Sequence, residues 1–233
     1  MEPHSYIRRR NEIESYFDGT AFEAWKRLTS EAPLGRIRQT VRAGREEMRK
    51  TLLSWLPEDL RGVRILDAGC GTGVLAQEAA ARGADVTATD LSKSLIEIAQ
   101  NRRPKLFGCG QLEFVVGDML ELDVGTFDYV VAMDSLIHYA PDHMIAALAK
   151  LSQKARRGVL FTYAPKTPAL AVMHAIGRAF PRSDRAPAIE PISSFQMEKL
   201  LESEPKLSGW YACRTKRIAS GFYKSQAMEL LAE

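Results

Sequence analysis

Three alternating glycines mark the segment of this sequence best suited to chemistry. Gly69, Gly71 and Gly73 follow a short apolar, β-branched run and precede a helical pattern. Glycines let the backbone pass close to a ligand where any Cβ would collide, and a helix that begins after them offers free N–H groups. The sequence therefore predicts a strand, a glycine turn and a helix start that together bind a nucleotide-like cofactor.

Acidic residues stand at the ends of three consecutive predicted strands. Asp67 lies two residues before the first glycine, Asp90 ends the next β-rich run, and Asp118 follows the third. Because the carboxyl ends of parallel strands meet at one edge of a sheet, the three carboxylates are expected to line a single slot. Such a slot favours a ligand with net positive charge over a dianion.

Two cofactors compete for this slot. The run from Gly71 to Ala76 fits the G-x-G-x-x-G/A pattern of nicotinamide-binding domains, and Asp90 stands at a suitable distance for a ribose contact. A carboxylate at Asp67 would repel a pyrophosphate, whereas it can orient the cationic amino acid end of S-adenosylmethionine. Asp90 would then accept both ribose hydroxyls and Asp118 the adenine amino group, with Met119 against the ring. We therefore predict a site for S-adenosylmethionine formed by Asp67, Gly69, Cys70, Gly71, Thr72, Gly73, Asp90, Leu91, Asp118, Met119 and Met133.

The elements that must position these residues alternate short apolar runs with helical patterns, which indicates a parallel sheet built from crossover units. Strands are predicted at 63–67, 85–90, 112–117, 127–133 and 158–163, with helices near 73–82, 93–102 and 141–153. A helix near 192–201 precedes two strand-like runs, 209–214 and 216–223, which are separated by a tight basic turn. This C-terminal pattern predicts an antiparallel hairpin, which nicotinamide-binding domains usually lack.

The N-terminal residues are separated from this core by a proline. Apolar residues recur at helical spacing over 37–56 until Pro57, and an aromatic-rich stretch at 16–25 precedes them. That stretch is either a local hydrophobic staple or a lid over a substrate. We accordingly predict a helical extension or lid at 1–57 and a methyltransferase domain at 58–233.

Composition narrows the class of protein. The 233 residues carry a formal net charge of +3 with acids and bases interspersed, which gives no case for nucleic-acid binding. The 3 cysteines lack C-x-x-C spacing, so neither a disulfide framework nor a metal site is expected. The longest apolar stretch, 168–180, is shorter than a membrane span and no secretory signal is recognised, so a cytoplasmic protein is expected.

The glycine turn with its acids resembles the class I S-adenosylmethionine-dependent methyltransferases. Outside that core, Tyr16-Phe17-Asp18-Gly19-Thr20 and Met133-Asp134-Ser135-Leu136-Ile137-His138-Tyr139 resemble the magnesium-protoporphyrin IX methyltransferases of bacteriochlorophyll and chlorophyll synthesis. The resemblance continues through Ala164-Pro165-Lys166-Thr167-Pro168, Phe180-Pro181 and Gly221-Phe222-Tyr223. It implies a Rossmann-like α/β fold with a mostly parallel seven-stranded sheet, a C-terminal antiparallel hairpin and an N-terminal helical lid.

The resemblance also implies a reaction. Enzymes of this family transfer a methyl group from S-adenosylmethionine to one propionate carboxylate of magnesium-protoporphyrin IX and release S-adenosylhomocysteine. His138 and Tyr16 are implied to be active-site residues, to which we assign orienting hydrogen bonds. An apolar helix at 168–180 could line the macrocycle, and Lys166 and Arg182 could meet the second propionate. The expected substrate-binding residues are Tyr16, Phe22, Trp25, Ile137, His138, Lys166 and Arg182.

Partners follow from the same resemblance. It suggests coupling to the porphyrin-binding subunit of magnesium chelatase and loose association with photosynthetic membranes.

Three other functions compete: a methyltransferase for another hydrophobic acceptor such as a quinone precursor, a porphyrin carrier without catalysis, and a nicotinamide oxidoreductase. Transfer of a labelled methyl group to the porphyrin would exclude all three.

Overall fold

The computed structural model describes residues 3–19, 21–30, 33–103, 110–166 and 188–233. The helices in these ranges are α1 (Pro3–Asp18), α2 (Phe22–Leu28), α3 (Arg36–Trp55), α4 (Val74–Ala81), α5 (Lys93–Asn101), α6 (Pro141–Ser152) and α7 (Ser194–Ser203). The strands are β1 (Arg64–Ala68), β2 (Asp85–Asp90), β3 (Leu112–Val116), β4 (Phe127–Ala132), β5 (Ala155–Tyr163), β6 (Trp210–Ser220) and β7 (Tyr223–Ala232). Short 3-10 turns occupy Leu136–His138 and Pro205–Leu207. The predicted helices agree with these bounds to within two residues and the first five strands to within three.

The strands form one sheet in the order β3-β2-β1-β4-β5-β7-β6. Strands β1 to β5 run parallel, and β7 runs antiparallel to both of its neighbours. The strand order reverses at β1, with β2 and β3 on one side and β4 on the other, and ligands of such sheets bind at the carboxyl ends beside this reversal. The predicted fold class, including the C-terminal antiparallel hairpin, is confirmed.

The hairpin itself is longer than predicted and turns elsewhere. Strand β6 continues through Arg214, next to the predicted tight basic turn, and the chain reverses around Gly221 instead. Gly221 has a φ of +54°, a left-handed conformation that glycine adopts without steric cost. The basic residues lie on an exposed edge strand, where charged side chains are common. The predicted bounds 209–214 and 216–223 are therefore wrong, because a basic run on an edge strand resembles a turn in sequence.

Helices cover both faces of the sheet. Neighbouring residues of one strand, such as Val130 and Val131, belong to apolar clusters on opposite faces. One cluster buries α6 and α7 against the sheet, and the other buries α3 and α4. Met48 and Leu52 of α3 are fully buried, and α3 also contacts β6 and β7. The last helix of the predicted extension therefore shares the core of the domain, while a boundary at residue 57 stays a prediction.

The predicted apolar helix at 168–180 and Arg182 fall outside the described residues, as does Cys109, one of the 3 cysteines. Among the helices that are described, none combines the length and the apolar composition needed to cross a bilayer.

Candidate active site

A cavity of about 750 Å³ opens at the carboxyl edge of the sheet, where the strand ends face α1, α2 and α3. Its wall combines the predicted acids Asp67, Asp90 and Asp118 with the rings of Phe17 and Trp25. The volume is in the range of small-molecule sites. The fold thus brings three carboxylates from three strand ends to one ligand-sized space.

Backbone hydrogen bonds fix the glycine turn between β1 and α4. Gly69 N donates to Thr89 O at 2.8 Å, and Gly71 N donates to Asp90 Oδ2 at 2.7 Å, so the turn is tied to the end of β2. Gly69 has a φ of +83°, and a Cβ at this position would overlap the side chain of Ser135 from the turn after β4. Glycine is required here because three strand ends converge on the same point.

Asp90 joins the glycine turn to the start of α5. While Oδ2 accepts from Gly71 N, Oδ1 accepts from Ser92 N at 2.9 Å. Burial raises the pKa of the Asp90 carboxyl, and these backbone N–H groups oppose that shift. An ionised carboxylate has about four acceptor positions, so Asp90 retains capacity for hydroxyl groups of a ligand in the cavity.

Asp67 is a buried carboxyl with one oxygen that lacks a hydrogen-bond donor. It is 2% exposed, and burial followed by the nearby charge of Asp90 raises its pKa to about 7. Within the described residues, three buried side-chain oxygens have no hydrogen-bond partner: Asp67 Oδ2, Thr89 Oγ1 and Ser135 Oγ. All three residues line the cavity. Buried polar atoms are ordinarily paired, so the site fits a ligand that carries a positively charged donor to Asp67.

Asp118 stands at another point of the cavity wall and is held by α1. The Tyr6 hydroxyl donates to Oδ1 and Oδ2 at 2.9 and 2.8 Å, and Leu120 N donates to Oδ1 at 2.9 Å. Arg10 Nη1 lies 3.5 Å from Oδ2. Met119 is also buried and lines the cavity.

Comparison with known proteins decides which family this site belongs to. Residues 132–232 match the family model described as magnesium-protoporphyrin IX methyltransferase C-terminus, and residues 65–158 match a methyltransferase domain. The magnesium-protoporphyrin O-methyltransferase of Rhodobacter capsulatus is 44% identical over 228 residues, which cover 97% of this chain and 98% of that one. The chain belongs to the magnesium-protoporphyrin O-methyltransferase family. The resemblance predicted from the sequence is confirmed.

A solved structure of this family shares the fold over nearly the full length. The crystal structure of magnesium protoporphyrin IX methyltransferase from Synechocystis PCC 6803 with bound SAH has a TM-score of 0.83 and 28% identity, and the match covers 96% of this chain and 100% of that one. A ubiquinone biosynthesis O-methyltransferase from Xanthomonas oryzae pv. oryzae is 38% identical over only 53% of this chain. Similarity to the magnesium-protoporphyrin enzymes therefore extends beyond the segment shared with the quinone enzyme.

The residues predicted to bind the donor converge in the structure. The cavity wall includes Asp67, Gly69, Cys70, Gly71, Thr72, Asp90, Leu91, Asp118, Met119 and Met133. Gly73 is the exception. It precedes α4 with a φ of +74°, and a Cβ added at Gly73 would stand 2.5 Å from the ring of Phe114. Burial raises the pKa of the Cys70 thiol, in keeping with a structural rather than reactive cysteine.

The residues predicted to bind the acceptor converge less completely. His138 and Trp25 line the cavity, and the His138 ring lies 6.1 Å from the ring of Phe17. Tyr16 packs edge-on against Phe17, with ring centroids 5.2 Å apart, and does not line the cavity formed by the described residues. Phe22, Ile137 and Lys166 also lie off that wall, and Lys166 is exposed. Arg182 lies outside the described residues.

The sequence analysis missed an acid on the cavity wall, Asp134, whose side chain is 6% exposed. Arg45 Nη1 donates to its Oδ2 at 2.5 Å, and the Tyr223 hydroxyl donates to Oδ1 and Oδ2 at 3.0 and 3.1 Å. Thr162 Oγ1 and Ser225 Oγ lie 3.1 and 3.3 Å from Oδ1. Asp134 has a φ of +56°, which is uncommon for a residue with a Cβ and is often found at functional sites.

Arg45 connects this network to the aromatic wall. Its guanidinium carbon lies 4.7 Å from the centre of the Trp25 ring, so the cation stacks on the indole. Arg42, Arg45 and Arg49 all line the cavity and recur at helical spacing along α3. That spacing was available in the sequence and could have identified a basic face of α3.

Proposed function

We propose that this chain is an S-adenosylmethionine-dependent O-methyltransferase that esterifies one propionate carboxylate of magnesium-protoporphyrin IX. The proposal rests on the 44% identity to the Rhodobacter capsulatus magnesium-protoporphyrin O-methyltransferase, which extends over 97% of this chain. The cavity supports it physically, because the buried, unpartnered Asp67 Oδ2 stands beside a glycine turn that brings backbone close to a ligand. In this function the chain acts in (bacterio)chlorophyll synthesis.

The acceptor needs no general base. A propionate carboxyl resembles that of Glu, with a pKa of about 4.3, so it is ionised at neutral pH. S-adenosylmethionine, when bound, supplies a methyl group on a positively charged sulfur. A carboxylate oxygen forms a bond to the methyl carbon while the carbon–sulfur bond breaks, and the sulfur keeps that electron pair as the thioether of S-adenosylhomocysteine. Opposite charges are neutralised along this path, so a site that excludes water favours the reaction.

The chain positions the donor through the strand-end acids. Asp67 pairs with the cationic amino acid end, Asp90 accepts the ribose hydroxyls, and Asp118 accepts the adenine amino group. Met119 packs on the adenine ring, while Gly69 and Gly71 let backbone approach the amino acid end. Support comes from the cavity, which these residues line together.

On the acceptor side, His138 orients the attacking carboxylate. His138 follows β4 in a 3-10 turn, lines the cavity and is 8% exposed, and its Nδ1 lies 3.4 Å from Ala188 O, so packing and this contact hold the ring. Tyr16 acts indirectly in this proposal, since it packs on Phe17, whose ring forms the wall. The helices α1 and α2 then serve as the lid that keeps water from the reacting groups.

The rest of the acceptor site is proposed from the position of Trp25 on the cavity wall and from the family resemblance. Trp25 offers an indole face to the macrocycle and carries the Arg45 guanidinium on the ring. On the family resemblance alone, Phe22 and Ile137 are proposed to add apolar contacts to the macrocycle, and Lys166 with Arg182 to bind the propionate that is not methylated. A cation suits that second carboxylate, because a cation on the attacking oxygen would stabilise the ground state more than the transition state.

The deciding experiment supplies the protein with methyl-labelled S-adenosylmethionine and magnesium-protoporphyrin IX. We expect a labelled monomethyl ester and S-adenosylhomocysteine in equal amounts. The matched acceptor control is the porphyrin with both propionates already esterified, which should receive no label. Porphyrin binding without transfer would instead indicate a carrier, and label on a quinone precursor alone would indicate the alternative methyltransferase.

We also propose that the substrate is handed over rather than drawn from bulk water. A hydrophobic porphyrin diffuses poorly through water, which supports delivery by the porphyrin-binding subunit of magnesium chelatase and a cytoplasmic enzyme loosely held at the photosynthetic membrane. Co-sedimentation with lipid vesicles, with and without that subunit, tests the membrane contact. Turnover measured with free and with subunit-bound porphyrin tests the delivery, and equal turnover from both would contradict it.

A further inference from the structure

One tyrosine of α1 holds the acid proposed to bind adenine. Tyr6 is 5% exposed, its hydroxyl donates to both oxygens of Asp118 at 2.9 and 2.8 Å, and its ring stacks on Tyr139 with centroids 5.5 Å apart. Burial, followed by the nearby Tyr139 and Asp118, raises the pKa of the Tyr6 hydroxyl. Tyr6 therefore remains a hydrogen-bond donor across the neutral pH range.

Asp118 keeps room for one more donor. Its oxygens accept from Tyr6 and from Leu120 N at 2.9 Å, and Arg10 Nη1 lies 3.5 Å from Oδ2. A carboxylate has about four acceptor positions, and Asp118 lines the cavity. An amino group that enters the cavity can thus reach a carboxylate that Tyr6 already holds in one orientation.

The other end of α1 reaches the acid proposed to bind ribose. Asp18, the last residue of α1, accepts from Ser92 Oγ at 2.5 Å and from Ser94 N at 3.1 Å. Ser92 N in turn donates to Asp90 Oδ1 at 2.9 Å. Helix α1 therefore spans both acids of the adenosine-binding region, with Tyr6 on one and Asp18 next to the other.

We propose that Tyr6 is a positioning residue of the donor site, which orients Asp118 toward the adenine amino group and couples adenosine binding to the docking of α1. The inference rests on the proposed function in that the donor is S-adenosylmethionine. If Asp118 binds a ligand more tightly while α1 is docked through Tyr6, that ligand must by thermodynamic linkage also stabilise the docked position of α1. The helix that covers the site is then stabilised by the adenine end of the donor, independently of the acceptor.

Calorimetry with two product analogues tests the orientation of Asp118. S-adenosylhomocysteine carries a 6-amino donor, whereas S-inosylhomocysteine carries a 6-oxo acceptor that faces the carboxylate unfavourably. We expect the unaltered protein to bind the adenosine compound at least about tenfold more tightly. Tyr6→Phe should reduce this ratio by at least about threefold, because Asp118 is no longer held by a donor. Tyr163→Phe is the matched control, since its buried hydroxyl bonds Ser194 Oγ at 3.1 Å and lies away from the cavity wall.

The ratio separates positioning from packing. If Tyr6 only packs, Tyr6→Phe weakens both ligands equally and the ratio stays constant, which overturns the proposal. A ratio that rises would mean that Tyr6 competes with adenine for Asp118, and this also overturns it. Asp118→Asn should lower the ratio as Tyr6→Phe does, and the double variant should resemble Asp118→Asn alone, because both changes act on one contact.

Hydrogen exchange tests the coupling without any altered residue. In the unaltered protein, S-adenosylhomocysteine should slow amide exchange in α1 by at least about threefold, with no porphyrin present. Tyr6→Phe should lose this ligand-dependent protection, and Tyr163→Phe should keep it. Bound ligand with unchanged exchange in α1 would refute the coupling. These readouts need no methyl transfer, so a failure here is distinguishable from an absence of esterification, which would contradict only the proposed function.

Discussion

The donor half and the acceptor half of the cavity rest on different kinds of support. The donor acids stand at the ends of β1, β2 and β3, whose backbones pair in register, as in Asp67 opposite Ala88 and Asp90 opposite Val116. The acceptor half is formed by α1, α2 and the turn after β4, which meet through side chains such as Phe17, Trp25 and His138. One half is positioned by a backbone ladder and the other by packing.

This difference explains which of the predicted residues line the cavity. A parallel sheet brings strand ends to one edge whatever the side chains do, so acids counted along the chain become neighbours in space. Helices can approach the same edge at many angles and rotations, and side-chain packing selects one. The predicted donor residues accordingly line the cavity apart from Gly73, whereas Tyr16, Phe22, Ile137 and Lys166 do not.

The largest expected effect concerns the donor half. Asp90→Ala removes the ribose acceptor and the bond from Gly71 N, so we expect S-adenosylhomocysteine affinity to fall by at least about 100-fold while porphyrin affinity is kept. Calorimetry with each ligand measures the two affinities. Asp128→Ala is the control, because Asp128 accepts from Arg64 N at 2.9 Å near the opposite end of the sheet. Intact donor affinity in Asp90→Ala would remove the ribose assignment.

The acceptor half should respond in turnover. His138→Ala removes the proposed orienting contact, and we expect kcat to fall by about 30-fold, more than any loss of porphyrin affinity. Steady-state kinetics with parallel porphyrin titration separates the two effects. Tyr163→Phe is a suitable control, since its hydroxyl bonds Ser194 Oγ at 3.1 Å and Tyr163 does not line the cavity. Turnover equal to that of the unaltered protein would exclude His138 from the reaction.

Changing the pH alters the charge of a donor-site acid without altering any residue. Asp67 has a pKa of about 7, and a bound cation favours its ionised form. Affinity for S-adenosylhomocysteine should therefore rise by up to about tenfold per pH unit below pH 7 and level off above it. The free energy of unfolding should fall as pH rises from about 4 to about 7, because the native Asp67 holds its proton more tightly than the unfolded chain. Asp67→Asn should flatten both profiles, and persistent slopes in that variant would point to another group.

The smallest effect is expected for Tyr223→Phe, which removes one hydrogen-bond donor to Asp134 on the cavity wall. This change leaves Arg45 in place, so the free energy of unfolding should fall by about 1 kcal/mol. Arg45→Ala should cost more, because it leaves a buried carboxylate without its cation. Tyr211→Phe, on the exposed edge strand, is the control for loss of a hydroxyl. Denaturant unfolding measures all three, and a larger loss in Tyr223→Phe than in Arg45→Ala would contradict this order.

Two errors show what the sequence could not convey. The basic segment around Thr215 looked like a turn between two short strands, yet it lies within β6, and only its pairing with β7 reveals the continuous strand. Asp134 looked like a residue of a family segment, yet it joins side chains from α3, β5 and β7. Both features depend on contacts between residues far apart in the chain, which local patterns do not encode.

The sequence by itself determined the order of strands and helices, the glycine turn and the acids at the strand ends, because each follows from spacing along one chain segment. The tertiary structure alone decided which helix faces the cavity, that Tyr6 donates to Asp118, and that Arg45 and Tyr223 converge on Asp134. Those contacts arise between side chains that folding brings together, and their geometry depends on how the helices pack against the sheet.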